Sequence, residues 1–208
     1  GENYMHWLIC KERTEIILFL FIWANAFEER KEIIFLSSNE DNWMIRDIME
    51  IRTATIADLA QIAAVEAECF PAAEAATKEE FEERIKYYGN HFWLMFEGEK
   101  LIAFVDGFVT DKPDLTDEMY ERAEMHDENG AWQMIFGVNT IPAYRKHGYA
   151  GQLLQCAIED ARKQGRKGLV LTCKEKLIAY YAKFGFVNEG ISESVHGNVI
   201  WYQMRYKF

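Results

Sequence analysis

Residues 144–151, YRKHGYAG, lie where a strand-like run of the sequence ends and a helical pattern begins. They concentrate Arg145, Lys146 and His147 in a chain whose formal net charge is -11. A helix N-terminus presents free N–H groups and a partial positive charge, and glycine lets a ligand approach the backbone closely. The stretch therefore fits a diphosphate site. A strand–helix turn with solvated basic side chains fits the same residues equally well.

The elements around this stretch follow from hydrophobic periodicity. Residues 131–140 form a strand-like run that Pro142 ends, and an amphipathic helix follows until Gly165. The apolar residues of this helix repeat at i, i+3, i+4 and i+7: Ala150, Leu153, Leu154, Ala157, Ile158 and Ala161. Beyond it we predict a buried strand at 169–173, a short helix at 177–184 and a last strand at 199–206.

The region before the stretch opens with a strand and two helices. A strand is predicted at residues 48–53. Two capping-box patterns follow, Thr55 with Asp58 and Thr77 with Glu80, and each precedes an apolar stripe at helical spacing. The sequence therefore predicts a pair of helices after the first strand.

A hairpin and a long loop complete the predicted elements. Strand-like runs at residues 92–97 and 101–109 flank a short turn, which is typical of a hairpin. Residues 111–130 form a polar, acidic loop with room for a helical turn, and loops of this length are often functional. The mixture of strands and helices predicts an α+β fold, α/β-like in its strand–helix units, around one mixed sheet.

Composition narrows the class of protein. Half of the 208 residues are hydrophobic, which is enough for one domain with a sizeable core. The negative net charge argues against a nucleic-acid partner. The four cysteines lie far apart without metal-ligand spacing, so we expect reduced thiols in a cytoplasmic protein with no metal. No apolar run reaches the roughly 18 residues that a membrane-spanning helix needs, so we expect no membrane partner.

The first part of the chain differs from the rest. Residues 16–27, IILFLFIWANAF, form a short apolar run that would promote aggregation if it were exposed. We therefore expect residues 1–43 to be an extension of uncertain role that packs on the domain or on a second copy, as in a homodimer. Residues 44–208 form the predicted domain, and Met44 and Met49 are alternative natural starts.

Two motifs resemble landmarks of a known family. Arg145-x-x-Gly148-x-Ala150 resembles the R/Q-x-x-G-x-G/A loop of the GNAT superfamily of N-acetyltransferases, and it has a strand before it and an amphipathic helix after it. Residues 180–186, YYAKFGF, resemble the Y-x-K/R-x-G-F segment of the same family. Three segments further resemble the serotonin (arylalkylamine) N-acetyltransferase branch and its microbial relatives: residues 68–81, 101–116 and 170–186. The resemblance covers about residues 45–208.

The resemblance implies a GNAT fold in which acetyl-CoA lies between two parallel strands that splay apart. Here those strands end near Val138 and Thr172. The backbone of Val138, Asn139 and Thr140 is implied to pair with the pantetheine arm, and the Val138 N–H is implied to polarise the thioester carbonyl. The implied diphosphate contacts are Arg145, Lys146, His147, Gly148, Tyr149, Ala150 and Gly151.

Catalysis is implied to be direct acetyl transfer, without an acyl-enzyme. Tyr181 is the implied general acid that protonates the departing CoA thiolate. A packed core tyrosine is the alternative interpretation, and the neighbouring Tyr180 fits that role better. Cys173 beside the site is expected to be a small buried residue rather than a nucleophile.

The general base does not follow from the resemblance. The animal serotonin enzymes carry two histidines, spaced H-x-H, where this sequence has Met134 and Phe136, and neither of these side chains accepts a proton. Glu74 is our first choice, because its segment resembles the substrate-side loop of the family and a carboxylate there could bind an ammonium group. The alternatives are His126, His196 and a water chain.

The acceptor is implied to be a small primary amine, arylalkylamine-like or polyamine-like. Phe70, Pro71 and Trp201 match positions that line the acceptor pocket in the family, which favours an apolar acceptor body, although all three are ordinary core residues as well. Two other functions share the motifs. One is a protein N-terminal acetyltransferase, and the other is a catalytically silent CoA-binding module.

Overall fold

The computed structural model describes residues 6–12, 15–23, 31–39, 42–195, 197 and 199–208, with side chains from Met49 onward. Its strands are β1 (His6–Glu12), β2 (Glu15–Trp23), β3 (Lys31–Asn39), β4 (Asn42–Thr53), β5 (Phe92–Glu97), β6 (Lys100–Asp106), β7 (Val109–Thr110), β8 (Trp132–Ile135), β9 (Gly137–Thr140), β10 (Gly168–Cys173), β11 (Val187–Ile191) and β12 (Tyr202–Lys207). Its α-helices are α1 (Leu59–Cys69), α2 (Lys78–Tyr88), α3 (Glu118–Glu121), α4 (Tyr149–Lys163) and α5 (Ile178–Ala182).

The described strands form two sheets. One has the order β1-β2-β3-β4-β5-β6-β9 and is antiparallel throughout, and the other has the order β11-β12-β10-β8-β7. Among the described strands, only β8 and β10 pair in parallel. The predicted α+β class with splayed parallel strands is confirmed, and the strands divide between two sheets rather than sharing one.

The two sheets meet within the predicted strand at residues 131–140. Its first half, β8, pairs with β10 from Trp132↔Gly168 to Ile135↔Leu171. Its second half, β9, pairs instead with β6. Phe136 lies between the two halves, where the chain changes partner. Beyond this point β9 and β10 diverge, and we call the opening between them the strand split.

The predicted helices pack against this framework. Thr77 Oγ1 accepts the Glu80 N–H at 3.2 Å, and the Thr77 N–H donates to Glu80 Oε2 at 2.6 Å, so the capping box is formed. Along α4 the predicted apolar stripe is buried, and Trp93 Nε1 donates to Asp160 Oδ2 at 2.8 Å, which ties α4 to β5. Both α1 and α4 contact β6, the strand that pairs with β9 at the split. Strand β6 is therefore packed against two helices.

The N-terminal region extends the antiparallel sheet. From β4 outward, the sheet continues with β3, then β2, then β1 at its edge. Strand β4 itself begins at Asn42, earlier than the predicted strand at 48–53. The sequence did not predict these three strands. Residues 24–27 of the apolar run at 16–27 lie outside the described residues.

The C-terminal region contains one strand that the sequence did not predict. Strand β11 pairs with β12 and is largely exposed, so it lacks the hydrophobic alternation that would reveal it. The last strand, β12, begins at Tyr202 rather than at residue 199.

Candidate active site

A cavity of about 410 Å³ lies at the strand split. Phe136, Gly137 and Val138 line it from one diverging strand, and Leu171, Thr172 and Cys173 line it from the other. Side chains of α1, α2, α5 and the 111–130 loop complete its wall. The cavity therefore lies at the position where the family resemblance predicts that the thioester and the acceptor bind.

Strand β9 offers backbone groups to this opening. It is the last strand of its sheet, so its outer edge faces the split. The Ile141 N–H donates to Ile102 O at 3.0 Å, and Val138 pairs opposite Val105 in the same register. Because N–H groups alternate in direction along an antiparallel strand, the Val138 N–H points away from β6, toward the split.

The loop before α4 has the backbone of an anion site. Gly148 is the N-cap of α4 with φ 82°, and no atom lies within 4 Å of the position a Cβ would take. Lys146 also has a positive φ, 70°. The first helical bond runs from the Gln152 N–H to Gly148 O at 3.0 Å. The N–H groups before Gln152 are therefore those that a helix leaves for an external acceptor.

The side chains of this loop serve partly to shape it. Arg145 Nε donates to Thr140 O at 3.0 Å, and His147 Nδ1 lies 2.9 Å from Arg145 O. Tyr149 is buried and stacks on His147 at 5.6 Å between ring centroids. These contacts stabilise the turn and engage the side chains of Arg145 and His147 within it.

Gly151 has a packing role. A Cβ at this position would lie 2.8 Å from Phe184 Cζ. Helix α4 therefore needs a glycine here to approach the segment that follows α5. Ala150, the residue before it in α4, is half-buried.

Tyr181 lies on α5 and lines the cavity, with 6% of its surface exposed. Burial raises the pKa of its hydroxyl above the ordinary value, and the neighbouring Tyr180, Cys173 and Tyr120 raise it further. A phenol with a raised pKa keeps its proton at neutral pH. Cys173 is also buried, and burial raises the pKa of its thiol to about 11, which does not suit a nucleophile.

Glu74 lines the cavity, and its carboxylate is already engaged by a cation. Lys174 Nζ donates to both of its oxygens, each at 2.9 Å. The Lys174 ammonium also lies 5.6 Å from the centroid of the Trp201 ring. This ion pair joins the 70–77 segment to Lys174, the residue directly after β10.

The other predicted positions differ in where they lie. Phe70 and Trp201 line the cavity, whereas Pro71 is exposed and is not part of its wall. His126 is not part of the wall either, and its Nδ1 accepts the Val109 N–H at 3.1 Å. His196 lies outside the described residues.

The two positions that match the histidines of the serotonin enzymes have different surroundings. Met134 is fully buried and is not part of the cavity wall, whereas Phe136 lines the cavity. Phe136 packs against Tyr120 at 4.7 Å and Phe108 at 5.0 Å between ring centroids. An aromatic ring therefore occupies the place of a proton-accepting side chain.

A buried charge network beside the split was missed by the sequence analysis. Arg84 of α2 contacts Asp106 Oδ2 at 3.3 Å and donates to Tyr120 O at 3.0 Å. Glu66 of α1 accepts the Ala76 N–H at 3.1 Å and Asn139 Nδ2 at 2.6 Å. Glu66, Arg84 and Asp106 line the cavity. We call Glu66, Arg84, Asp106 and Asn139 the acceptor-side network.

Burial shifts the titration of both carboxyl groups in this network. It raises the pKa of Asp106 to about 7, against the opposing effects of Arg84 and of the Gly137 N–H that donates to its carboxylate. It raises the pKa of Glu66 as well. The sequence offers one indication of this network: Asp106 is a single acidic residue at the end of the apolar run LIAFVD. Asp106 was included in the predicted strand at 101–109 and was assigned no role.

One described group of side chains could be considered for a metal ion: His91, His126 and Glu128. His91 Nε2 lies 2.9 Å from Glu128 Oε2, and His126 Nε2 lies 3.3 Å from the same oxygen. Because His126 Nδ1 accepts a backbone N–H, a neutral His126 carries its proton on Nε2, which cannot then ligate a metal. Hydrogen bonds to the Glu128 carboxylate explain why these three side chains lie together. None of the three lines the cavity.

Comparison with known proteins gives the family. A sequence model of the acetyltransferase (GNAT) family matches residues 59–186, more than half of the chain. The chain belongs to this family. The match spans α1 to α5 and includes the loop before α4, so it confirms the predicted GNAT fold and an acetyltransferase type of enzyme. No curated protein matches the chain.

Solved structures share the GNAT architecture at low sequence identity. GphF, a GNAT-like decarboxylase in complex with isobutyryl-CoA, is 21% identical with a TM-score of 0.66, covering 76% of this chain and 98% of that one. The ribosomal-protein-S18-alanine N-acetyltransferase from Escherichia coli is 17% identical, with a TM-score of 0.57 and coverage of 76% and 93%. The PaiA N-acetyltransferase from Thermoplasma acidophilum, in complex with coenzyme A, is 19% identical, with a TM-score of 0.58 and coverage of 77% and 99%.

At such identities the likeness to solved structures establishes the fold alone. One of the three is a decarboxylase and two are N-acetyltransferases, although all three share the GNAT architecture. The reaction of this GNAT protein must therefore be argued from its own cavity. Among the described residues, no helix is long and apolar enough to cross a membrane.

Proposed function

We propose that this protein is an acetyl-CoA-dependent N-acetyltransferase that transfers acetyl directly to a small primary amine. The observation that carries the proposal is the position of Tyr181, whose protonated hydroxyl lines the cavity at the strand split of a GNAT fold. The cavity thus combines an open strand edge, a proton donor and space for an acceptor.

Acetyl-CoA would lie along the outer edge of β9. The backbone of Val138, Asn139 and Thr140 pairs with the pantetheine arm, and the diphosphate lies against the N–H groups of residues 146–151 at the N-terminus of α4. The free edge of β9 and the positive φ of Gly148 support this placement. The Val138 N–H then faces the thioester carbonyl.

The reaction proceeds by attack of a neutral amine on the thioester carbon. The C–N bond forms, and the negative charge on the carbonyl oxygen is stabilised by the Val138 N–H. The C–S bond then breaks, and Tyr181 gives its proton to the sulfur of the departing thiolate. The nitrogen loses its remaining extra proton, so that each turnover of an ammonium substrate releases one proton in total.

The cavity wall supports an amine with an apolar body. Phe70 and Trp201 supply apolar surface, and carboxylates outnumber cations on the wall. The wall contains one arginine, Arg84, and six acidic residues: Glu66, Glu74, Glu80, Asp106, Asp117 and Glu121. A cationic acceptor complements this charge, and both arylalkylamines and polyamines meet the requirement. Glu74, paired with Lys174, is proposed to orient the acceptor through the 70–77 segment.

A protein N-terminal acetyltransferase is the second candidate. The observation that favours it is an exposed apolar rim: Val195 lines the cavity and is 78% exposed, and Ile191 and Ile200 are exposed nearby in sequence. A peptide could cover this rim, whereas a small amine could not. A silent CoA-binding module is disfavoured because Tyr181 is retained.

The experiment is a thiol-release assay with acetyl-CoA and a panel of acceptors. The panel contains phenylethylamine, tryptamine, spermidine, putrescine and short peptides with free N-termini. We expect release of CoA with at least one small amine and a matching acetylated product by mass spectrometry. Turnover with peptides alone would favour the second candidate. Binding of acetyl-CoA without turnover on any acceptor would contradict the proposed function.

We also propose a cytoplasmic location. Its support is the state of the cysteines whose side chains are described, Cys69, Cys156 and Cys173, none of which forms a disulfide.

A further inference from the structure

Asp106 occupies an unusual position for a charged residue. It is 1% exposed, ends the apolar strand β6, and still lines the cavity. Its Oδ2 faces Arg84 at 3.3 Å, which is long for a charge-assisted bond. Its carboxylate also accepts the N–H of Gly137, the first residue of β9. The group therefore lies one residue from Val138, on the wall where the thioester is proposed to bind.

The backbone is shaped to admit this carboxylate. A Cβ on Gly137 would lie 2.6 Å from Asp106 Oδ1, closer than any real contact of that kind. The φ of Gly137 is not positive, so backbone conformation does not require a glycine there. The missing side chain instead gives Asp106 access to the edge of the split.

Asn139, two residues farther along β9, contributes a second acceptor oxygen beside Gly137. Asn139 is 1% exposed, and its Oδ1 has no hydrogen-bond partner among the described residues. This oxygen would lie 3.6 Å from a Cβ on Gly137. Two acceptor oxygens, one from Asp106 and one from Asn139, thus flank the same glycine. Buried acceptors in such a position are commonly satisfied by water.

We infer that Asp106 is the proton acceptor for the substrate amine, directly or through one water held between Gly137 and Asn139. This inference rests on the proposed function. The ammonium form of the substrate gives one proton to the Asp106 carboxylate, which becomes neutral, and the free amine attacks the thioester. Asp106 then returns the proton to solvent before the next turnover.

The chemical surroundings suit this role. With its pKa raised to about 7, Asp106 takes up and releases a proton near neutral pH. The charged and titratable groups that face it are Arg84 and Tyr88 from α2, Glu66 from α1 and Tyr120 from the 111–130 loop. Of these groups only Arg84 is a cation, and it keeps part of the Asp106 population ionised.

The two rival carboxyl groups accept shorter side-chain or backbone hydrogen bonds than the 3.3 Å contact between Asp106 and Arg84. Glu74 accepts two bonds from Lys174, and Glu66 accepts bonds on both oxygens, from the Ala76 N–H and from Asn139. Their replacement by glutamine therefore gives matched controls, in which a cavity carboxyl group is lost but the inferred proton acceptor is kept.

The test measures kcat/KM against pH for the full chain, with an amine that the wild type acetylates. We expect the wild-type profile to rise with an inflection near pH 7. Asp106→Asn should lower kcat/KM at pH 7.5 on the order of 100-fold, remove that inflection and recover activity as the pH approaches the pKa of the amine. Its acetyl-CoA affinity should stay unchanged. Glu74→Gln should keep the inflection, and Glu66→Gln should keep it at a lower pH, because the Glu66 charge helps to raise the pKa of Asp106.

A second variant covers the case in which Asp106→Asn does not fold. Gly137→Ala retains every charge but displaces the carboxylate, so the inflection should shift and kcat/KM should fall about 10-fold or more. An unchanged inflection in Asp106→Asn, or in Gly137→Ala if only that variant folds, would overturn the inference while the proposed function stands. Loss of the inflection in Glu74→Gln or Glu66→Gln instead would also overturn it. If the wild-type protein acetylated none of the acceptors, both the proposed function and the role of Asp106 would be contradicted.

Discussion

The two halves of the cleft use different parts of the chain. The proposed cofactor half, β9 with residues 145–151, comes from one short region and would offer mainly backbone groups to acetyl-CoA. The acceptor half, the acceptor-side network with Tyr181, brings together buried side chains from α1, α2, β6, β9 and α5. Residues 145–148 of the first half are exposed, whereas Arg84, Asp106 and Asn139 are almost completely buried.

This difference determines which substitutions each half tolerates. A backbone site tolerates changes of side chain except where a residue such as Gly148 sets the conformation. A buried charge network tolerates few changes, because removal of one partner leaves the other without compensation. Substitutions in the acceptor half should therefore affect stability, and those in the cofactor half should affect binding.

The largest effect is expected from Arg84→Met. Arg84 is 5% exposed and is the cation nearest to Asp106. Its loss should reduce the free energy of unfolding by about 3–5 kcal/mol, measured by chemical denaturation at pH 7.5. The matched control is Arg122→Met, because the Arg122 side chain is 52% exposed although it pairs with Glu118 and Glu124. The control should leave the unfolding midpoint almost unchanged. Equal losses in the two variants would contradict a buried-charge origin.

The pH dependence of the free energy of unfolding tests the acceptor half at a single residue, Asp106. The folded-state pKa of Asp106, about 7, is above the ordinary carboxyl value of 3.8. Between these values the folded state binds more protons than the unfolded state, so the wild-type contribution of this group to stability falls as the pH rises from 4 to 7. Asp106→Asn should flatten that decline in urea titrations at pH 4.5 and 7.5. A decline of the same size in the variant would assign it to other groups, such as Glu66.

The cofactor half should respond through acetyl-CoA affinity. Gly148→Asp places a carboxylate at the N-terminus of α4, on a backbone with φ 82°. Repulsion of the diphosphate and backbone strain should raise the Kd for acetyl-CoA on the order of 100-fold, about 2.7 kcal/mol. Lys146→Ala should raise it about 3-fold or less. Isothermal titration calorimetry makes the comparison.

Gly148→Asn separates shape from charge, since asparagine accepts the left-handed conformation. We expect an intermediate loss of affinity for this variant. If Lys146→Ala matches Gly148→Asp, side-chain charges rather than backbone N–H groups hold the phosphates.

The smallest effect is expected at Gly151, where a Cβ would lie 2.8 Å from Phe184. Alanine in a helix is favoured over glycine by about 1 kcal/mol, so without this contact Gly151→Ala would stabilise the protein. With it, we expect a loss of stability of about 1 kcal/mol. Phe184→Leu in the same chain should remove the loss, and a double-mutant cycle measures the coupling. If Gly151→Ala alone stabilised the protein, the Phe184 ring would have to shift away from the new Cβ at no cost, which would contradict the expected clash.

The sequence predicted the local features of the fold. The capping box at Thr77 and the stripe of α4 depend on residues a few positions apart, so periodicity and spacing reveal them. The motif around Gly148 is local in the same sense. The strands β1, β2 and β3 were missed, because residues 1–43 were interpreted from their apolar run as an extension that packs on the domain or on a second copy.

The acceptor half could not be predicted in the same way. Arg84 and Asp106 are 22 positions apart, and Glu66 and Asn139 are 73 apart, so no local pattern joins them. Contacts of α2 with β6 and of α1 with β9 bring them together. Glu74 was preferred as the base because its segment resembled the family, and its pairing with Lys174 depends on a contact 100 positions apart.

The central claim is that the strand split is a site of acetyl transfer in which Tyr181 protonates the departing thiolate. The most direct test is the rate of CoA release by Tyr181→Phe beside the wild type, with acetyl-CoA affinity measured for both. We predict that the substitution slows turnover on the order of 100-fold or more, as expected for the loss of a general acid, and leaves acetyl-CoA affinity unchanged. A variant whose turnover stays within about 3-fold of the wild type would contradict the account, because that change is far below a general-acid contribution.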